Sequence, residues 1–173
     1  MKMSNMGLVR SRSTVGSSNI HFQFTPKYRR EVFESKKVQA VCDQAYREIA
    51  QKLGLIYHSH EFGPDHDHVF VGNTMKYTVP YLVQRFKGYS SRIIRAECWD
   101  EIKDKLWGDS FWHDGYFHEF IGRFTNDSMK YYIERQQKKH WTDEDYDYVR
   151  YQRHQYEQKK PSTTKPLNLT DWM

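Results

Sequence analysis

The stretch Gly63-Pro64-Asp65-His66-Asp67-His68-Val69-Phe70-Val71 constrains this chain more than any other. Pro64 breaks regular structure, and the run from Asp67 to Val71 reads as a short strand. Side chains along a strand alternate between its faces. His66 and His68 therefore point the same way, a few ångströms apart, which suits two imidazoles on one metal ion. Any His-X-His in a strand has this geometry, and most are solvated or hydrogen-bonded, so the surroundings must decide.

The chain has 173 residues, enough for one domain with a real core plus tails. Only 38% of it is hydrophobic while 16% is aromatic, so burial must lean on its Tyr, Phe and Trp side chains. Lys and Arg number 27 against 22 Asp and Glu, a formal charge of +5. A basic, aromatic-rich surface suits nucleic acid, because cations neutralise phosphates and rings stack on unpaired bases. A solvated surface with a slight basic excess fits the same count. Cys42 and Cys98 offer neither a disulfide framework nor a paired metal motif and fit a reducing compartment. There is no apolar run of membrane-spanning length and no signal-peptide core, so a soluble cytoplasmic protein with no membrane partner is expected.

Residues 1–18 are polar and carry Lys2, Arg10 and Arg12 with no acid, which reads as a flexible basic arm. Residues 19–25 alternate apolar and polar as a half-buried strand. Pro26 stops it, and Lys27, Tyr28, Arg29 and Arg30 form a basic, aromatic exit, either a solvated turn or a phosphate contact. Ser35 caps a helix whose core face is Val38, Val41, Cys42, Ala45, Ile49 and Leu53, and Gly54 ends it. Residues 55–62 form a second strand with Leu55, Tyr57 and Ser59 on one face, pairing antiparallel with the histidine strand. Thr78 caps a longer helix with Pro80 in its first turn and Val79, Leu82, Val83, Phe86, Ile93 and Ile94 inward. Lys87 and Arg92 put charge on that helix. Gly88 in its middle costs roughly 1 kcal/mol against Ala, which points to close packing or close approach. Residues 96–114 read as loop, with Trp99, Trp107 and Trp112. Residues 115–121 are a fourth strand, ended by Gly122. A helix over residues 128–139 puts Met129, Tyr132, Ile133 and Gln136 on one face, with Tyr131 turned away. Residues 142–160 have acids at the start and lysines at the end of a further helix. The rest is tail, with Trp172 as an anchor.

Strand, helix, strand, strand, helix, strand is the split ferredoxin-like order. The expected class is α+β: an RRM-like antiparallel sheet with helices on one face and the other open, plus a C-terminal tyrosine-bearing helix. His66 and His68 project into the open face. The organisation expected is an arm at 1–18, a catalytic domain at 19–139 and a helical extension and tail at 140–173.

Two imidazoles and an amide oxygen leave positions for phosphate oxygens, and a metal so held acts as a Lewis acid on a scissile phosphate. A Tyr hydroxyl can then attack phosphorus and keep the bond energy in a covalent ester. Over residues 19–137 the sequence resembles the HUH single-tyrosine, TnpA-type transposases of small insertion sequences that move as single-stranded DNA. The stretches that carry the resemblance are Ile20-His21-Phe22 with Thr25-Pro26-Lys27-Tyr28-Arg29-Arg30, and Pro64-Asp65-His66-Asp67-His68-Val69-Phe70-Val71. They continue with Phe86-Lys87-Gly88-Tyr89-Ser90-Ser91-Arg92, Trp112 through Gly115-Tyr116-Phe117, and Tyr132-Ile133-Glu134-Arg135-Gln136.

The resemblance implies that His66, His68 and Gln136 hold a divalent metal such as Mg2+ or Mn2+. Tyr132 is then the nucleophile that forms a 5′-phosphotyrosine and leaves a free 3′-hydroxyl. It also implies a prokaryotic homodimer acting on imperfect hairpins in single-stranded DNA, with sheet edges joined and the tyrosine helix able to serve the partner. Lys27, Arg29, Arg30, Lys87 and Arg92 are the expected DNA contacts. Asp67 departs from the family, which usually has a bulky apolar residue there. Alternation points Asp67 at the helix-covered face, where its carboxylate needs a base or the water of a strand end. Glu61 is left outside the metal set. Two rival readings remain, a nicking or replication-initiating or domesticated relative and a non-catalytic RRM-like nucleic-acid-binding module. The initiators that use two tyrosines need both on one helix face, which adjacent Tyr131 and Tyr132 cannot share.

Overall fold

A computed structural model describes residues 8–10, 12–13, 15–106 and 108–122. Their order is β1 (Leu8–Arg10), β2 (Val15–Ser17), β3 (Asn19–Phe24), α1 (Lys36–Leu53), β4 (Ile56–Phe62) and β5 (Asp67–Gly72), followed by α2 (Val79–Glu97), α3 (Trp99–Ile102) and β6 (Phe117–Ile121). The main sheet runs β4-β5-β3-β6 and every pairing in it is antiparallel. This is the expected ferredoxin-like arrangement, with the histidine strand β5 and β3 at its centre.

The helices form where their caps permit. The Ser35 hydroxyl accepts from the Val38 N–H, and Gly54, at φ 65°, turns the chain out of α1 while its N–H reaches the carbonyls of Ala50 and Gln51. Thr78 caps α2 in the same way through the Tyr81 N–H. From the sheet, Ile20, Phe22 and Phe24 of β3 and Val69 and Val71 of β5 join the core. The helices meet them with Val38, Cys42, Tyr46 and Ile49 of α1 and Leu82, Phe86 and Ile94 of α2. A fully buried side chain of this kind contributes about 1.5–3 kcal/mol.

Five features differ from the sequence expectation. Residues 8–17, placed in a flexible arm, contain a hairpin in which Leu8 faces Ser17 and Arg10 faces Val15; two short β-prone runs suffice to pair. Helix α2 continues to Glu97, and α3 follows where loop is expected, because Arg95, Ala96 and Glu97 are good helix formers. Ser90, not Ile93, faces the core. Strand β4 carries a bulge between Tyr57 and Ser59, so Tyr57 and His60 lie opposite Val71 and Val69, while Ser59 and Glu61 lie opposite Phe70 and His68. Finally, the face expected to be open is covered, since β3 and β5 are buried along their whole length. Side-chain rings of the sheet line that face. His21 stacks on His68 at 5.1 Å and meets Phe117 edge-on at 5.9 Å, and His58 lies 5.3 Å from Phe70. The expected helices over residues 128–139 and 142–160, Trp107 and the Trp172 anchor lie outside the described residues.

Candidate functional site

His66 and His68 share a face as alternation requires, their ring centroids 5.0 Å apart and their planes at 87°. Each ring is gripped at Nδ1. His66 Nδ1–H donates to Asp65 Oδ1 at 2.7 Å. His68 Nδ1 shares a hydrogen bond of 2.9 Å with His21 Nε2. With both Nδ1 atoms engaged, Nε2 is the nitrogen that each ring would offer a cation. The second oxygen of Asp65 takes the Arg29 guanidinium at 2.9 Å. The hydrogen bond from His66 holds the Asp65 carboxyl at a pKa of about 2 against the opposing effect of burial, with Arg29 reinforcing it. Burial lowers His21 to a pKa of about 4, so this ring is neutral at pH 7. Gly63 is where the chain needs no side chain: a Cβ there would overlap the His66 ring. Two imidazoles oriented by outer hydrogen bonds are a donor set that fits a divalent cation. Glu61 lies directly across from His68 on β4 and adds a carboxylate to the same face. The bulge that puts it there leaves no signal in the alternation of the sequence. Tyr132 and Gln136 lie outside the described residues.

Behind the pair, on the helix side of the same strand, Asp67 has found the base it needs. The residue is fully buried, and its carboxylate bonds His60 Nε2 at 3.0 Å and the Phe24 N–H at 3.2 Å. His60 Nδ1 in turn donates to Asp43 at 3.1 Å, and Asp43 also accepts from Tyr57 and Arg47. Burial disfavours a charge on His60, but the hydrogen bonds to both acids prevail and raise its pKa above the ordinary 6.5. Burial acts on Asp43 too, but the hydrogen bonds from His60, Tyr57 and Arg47 prevail and hold its pKa far below the usual carboxylate range. Cys42 Sγ stands 4.0 Å from Asp67, and among the described residues Cys42, His60 and Asp67 are a trio close enough to hold a metal. Both nitrogens of His60 are committed to acids, and burial pushes the Cys42 thiol well up. With its imidazole hydrogen-bonded on both sides and its thiol kept from ionising, the trio is poorly suited to metal capture.

The five cations expected on DNA have different surroundings. Arg29 is bound to Asp65. The Lys87 ammonium donates to the carbonyls of His113 and Gly115 at 2.8 and 2.6 Å and sits over the Phe24 and Tyr116 rings. Burial lowers its pKa to about 8. Lys87 thus fastens the loop after α3. Lys27 lies 3.9 Å from Asp114. Arg30 and Arg92 are exposed. The neighbouring Ser90 donates to the Phe86 carbonyl and accepts from Trp112 Nε1 at 3.0 Å, which ties the α2 motif to the Trp112 motif. A Cβ on Gly88 would meet nothing within 4 Å, so no packing demand explains it; it lines a shallow groove of about 280 Å³ with Lys87, Ser91 and Trp112. No helix of the described residues is long and apolar enough to cross a membrane.

Comparison with known proteins places this geometry in context. The family model described as "Transposase IS200 like" matches residues 14–136. The ISDra2 transposase TnpA of Deinococcus radiodurans is 29% identical over 130 residues, 75% of this chain and 91% of that protein. The transposase for insertion sequence element IS200 of Salmonella typhimurium is 29% identical over 117 residues, 66% of this chain and 76% of that one. The crystal structure of a candidate transposase from Deinococcus radiodurans R1 superposes with a TM-score of 0.59 at 27% identity, covering 74% of this chain and 97% of its own.

Proposed function

The chain belongs to the IS200-like transposase family, and from that membership we propose that it cuts and rejoins single-stranded DNA at hairpin-marked insertion-sequence ends. The observation that carries this reading is the His66/His68 pair, each ring held at Nδ1 and turned to offer Nε2. Such a pair with Gln136 would hold Mg2+ or Mn2+, which when bound supplies positive charge to the scissile phosphate. Tyr132 attacks phosphorus through its hydroxyl oxygen. The new bond joins that oxygen to the 5′ phosphate, the bond from phosphorus to the 3′ oxygen breaks, and that oxygen leaves with a proton as a free 3′-hydroxyl. The ester keeps the energy of the phosphodiester, so rejoining needs no external source. Arg30, Arg92 and Lys27 contact the DNA backbone. Two copies of the chain act together, each catalytic site built for one strand end.

The test uses end-labelled single strands from the DNA flanking the gene, chosen for imperfect palindromes. Cleavage is expected with Mg2+ or Mn2+. It is lost with EDTA, lost in His66→Ala at unchanged thermal stability, and absent on the duplex of the same sequence, whose bases are stacked away. Full cleavage in EDTA would overturn the metal assignment.

A further inference from the structure

We propose that Arg29 and Asp65 are positioning residues for His66: a guanidinium–carboxylate pair that fixes the imidazole tautomer and aims Nε2 at the cation. The proposal rests on the reading of His66 as a metal ligand. It moves Arg29 from the DNA surface to the support of the metal site.

The backbone supplies the first argument. Tyr28 and Arg29 are consecutive non-glycine residues at φ 59° and 53°. A left-handed conformation is unfavourable for an L-residue with a Cβ, and two in succession need a compensating contact. The Lys27 N–H to Phe111 carbonyl bond and the Arg29 N–H to Pro26 carbonyl bond, 2.8 and 3.0 Å, hold the turn in place. Its consequence is that the Arg29 side chain reaches Asp65, where Nε and one terminal nitrogen each lie 2.9 Å from Oδ2. Strain of this kind gathers at functional sites.

The second argument is how the carboxylate is divided. Oδ2 serves Arg29 and Oδ1 serves His66. Neighbours in a strand point to opposite faces, but β5 begins at Asp67, so Asp65 is outside it and can turn back onto the ring beside it. A carboxylate on Nδ1–H leaves the lone pair on Nε2 and makes it a better donor. Without the arginine the same carboxylate could swing into water. Gly63 closes the arrangement, leaving room for the ring on its remaining side.

The experiment has a readout that needs no metal. Long-range 1H–15N correlation spectra at pH 8 in EDTA report the tautomer of His66. The Nδ1–H form is expected in the parent and in Arg29→Lys, and a shift towards Nε2–H in Asp65→Ala. An Nε2–H parent spectrum would overturn the proposal outright. Mn2+ titration of the folded proteins, without DNA, is the second readout. Asp65→Ala should weaken binding about 10- to 100-fold, with Asp65→Asn between it and the parent. Arg29→Ala should weaken binding by a smaller factor in the parent and by nothing further in Asp65→Ala, because it acts through that carboxylate. A fluorescein-labelled single-stranded hairpin measures DNA affinity in EDTA, which should change less than twofold in Arg29→Ala. Unchanged Mn2+ affinity with lost hairpin affinity would return Arg29 to the DNA surface and refute the proposal. The metal reading itself fails separately: His66→Ala would then bind Mn2+ as the parent does, whatever the tautomer.

Discussion

Replacing His60 by Leu should cost this protein more stability than any change to the face that carries His66 and His68. The substitution removes the imidazole from the Asp67 carboxylate, which is fully buried and is left with neutral donors, the Phe24 N–H at 3.2 Å and the Cys42 thiol at 4.0 Å among them. At 3.0 Å the attraction between His60 and Asp67 is roughly 5 kcal/mol for an effective dielectric near 20. Desolvation offsets much of this in the intact pair but not in the broken one. Losing one partner of a buried pair costs about 3–5 kcal/mol, a fall of roughly 6–20 °C in melting temperature for a chain of this size. Placing apolar residues at both positions in the double variant His60→Leu/Asp67→Val should bring stability back to within about 1 kcal/mol of the parent. The assay is urea unfolding of all four proteins by circular dichroism. pH adds a signature. Because the His60 pKa is raised when folded, its contribution is fully present below its unfolded value near 6.5 and is lost as pH rises through the folded value. The Asp43 pKa is lowered, so its contribution is present above 3.8 and is lost as pH falls towards the folded value. The parent should therefore weaken on the alkaline side, and the double variant should lack the alkaline loss due to His60. Additive effects, with the double variant as weak as the two singles together, would refute the claim that the pair acts as a unit.

Gly63→Ala should push the His66 ring out of place and weaken Mn2+ binding at least tenfold by titration, with overpacking costing about 1–3 kcal/mol in a melt. Ser90→Ala leaves the Trp112 indole N–H buried without its acceptor and should cost about 1–3 kcal/mol by urea unfolding. Co-expressing His66→Ala with Tyr132→Phe tests whether subunits share sites. With sites assembled in trans, half of randomly paired dimers have one good site in two, so cleavage should return to about a quarter of the parent level; no return in confirmed mixed dimers means sites assembled in cis.

What the sequence revealed of this fold came from periodicity and punctuation. Ser35, Gly54, Thr78 and Pro80 mark helix ends by local chemistry, and the alternation along β5 is legible because that strand pairs with β3 in unbroken register. The support of the site was illegible for equally local reasons. A bulge after Tyr57 inverts the parity of β4, so nothing in the alternation says that His60 turns inward to Asp67 or that Glu61 faces His68. The Arg29–Asp65 contact joins residues 36 positions apart through a left-handed turn without glycine. A cluster of Lys and Arg looks alike whether it meets phosphate or, like Lys87, the carbonyls of its own chain.

Whether this chain joins itself to DNA through Tyr132 can be read by mapping the covalent adduct. The parent protein is incubated with Mn2+ and a labelled single strand carrying the flanking palindrome, then denatured, digested with protease and nuclease, and sequenced by mass spectrometry. A nucleotide phosphate is expected on the peptide containing Tyr132, fragmenting at that residue, with no adduct in Tyr132→Phe at unchanged fold. Cleaved DNA with no protein attached, or an adduct of undiminished yield in Tyr132→Phe, would contradict it.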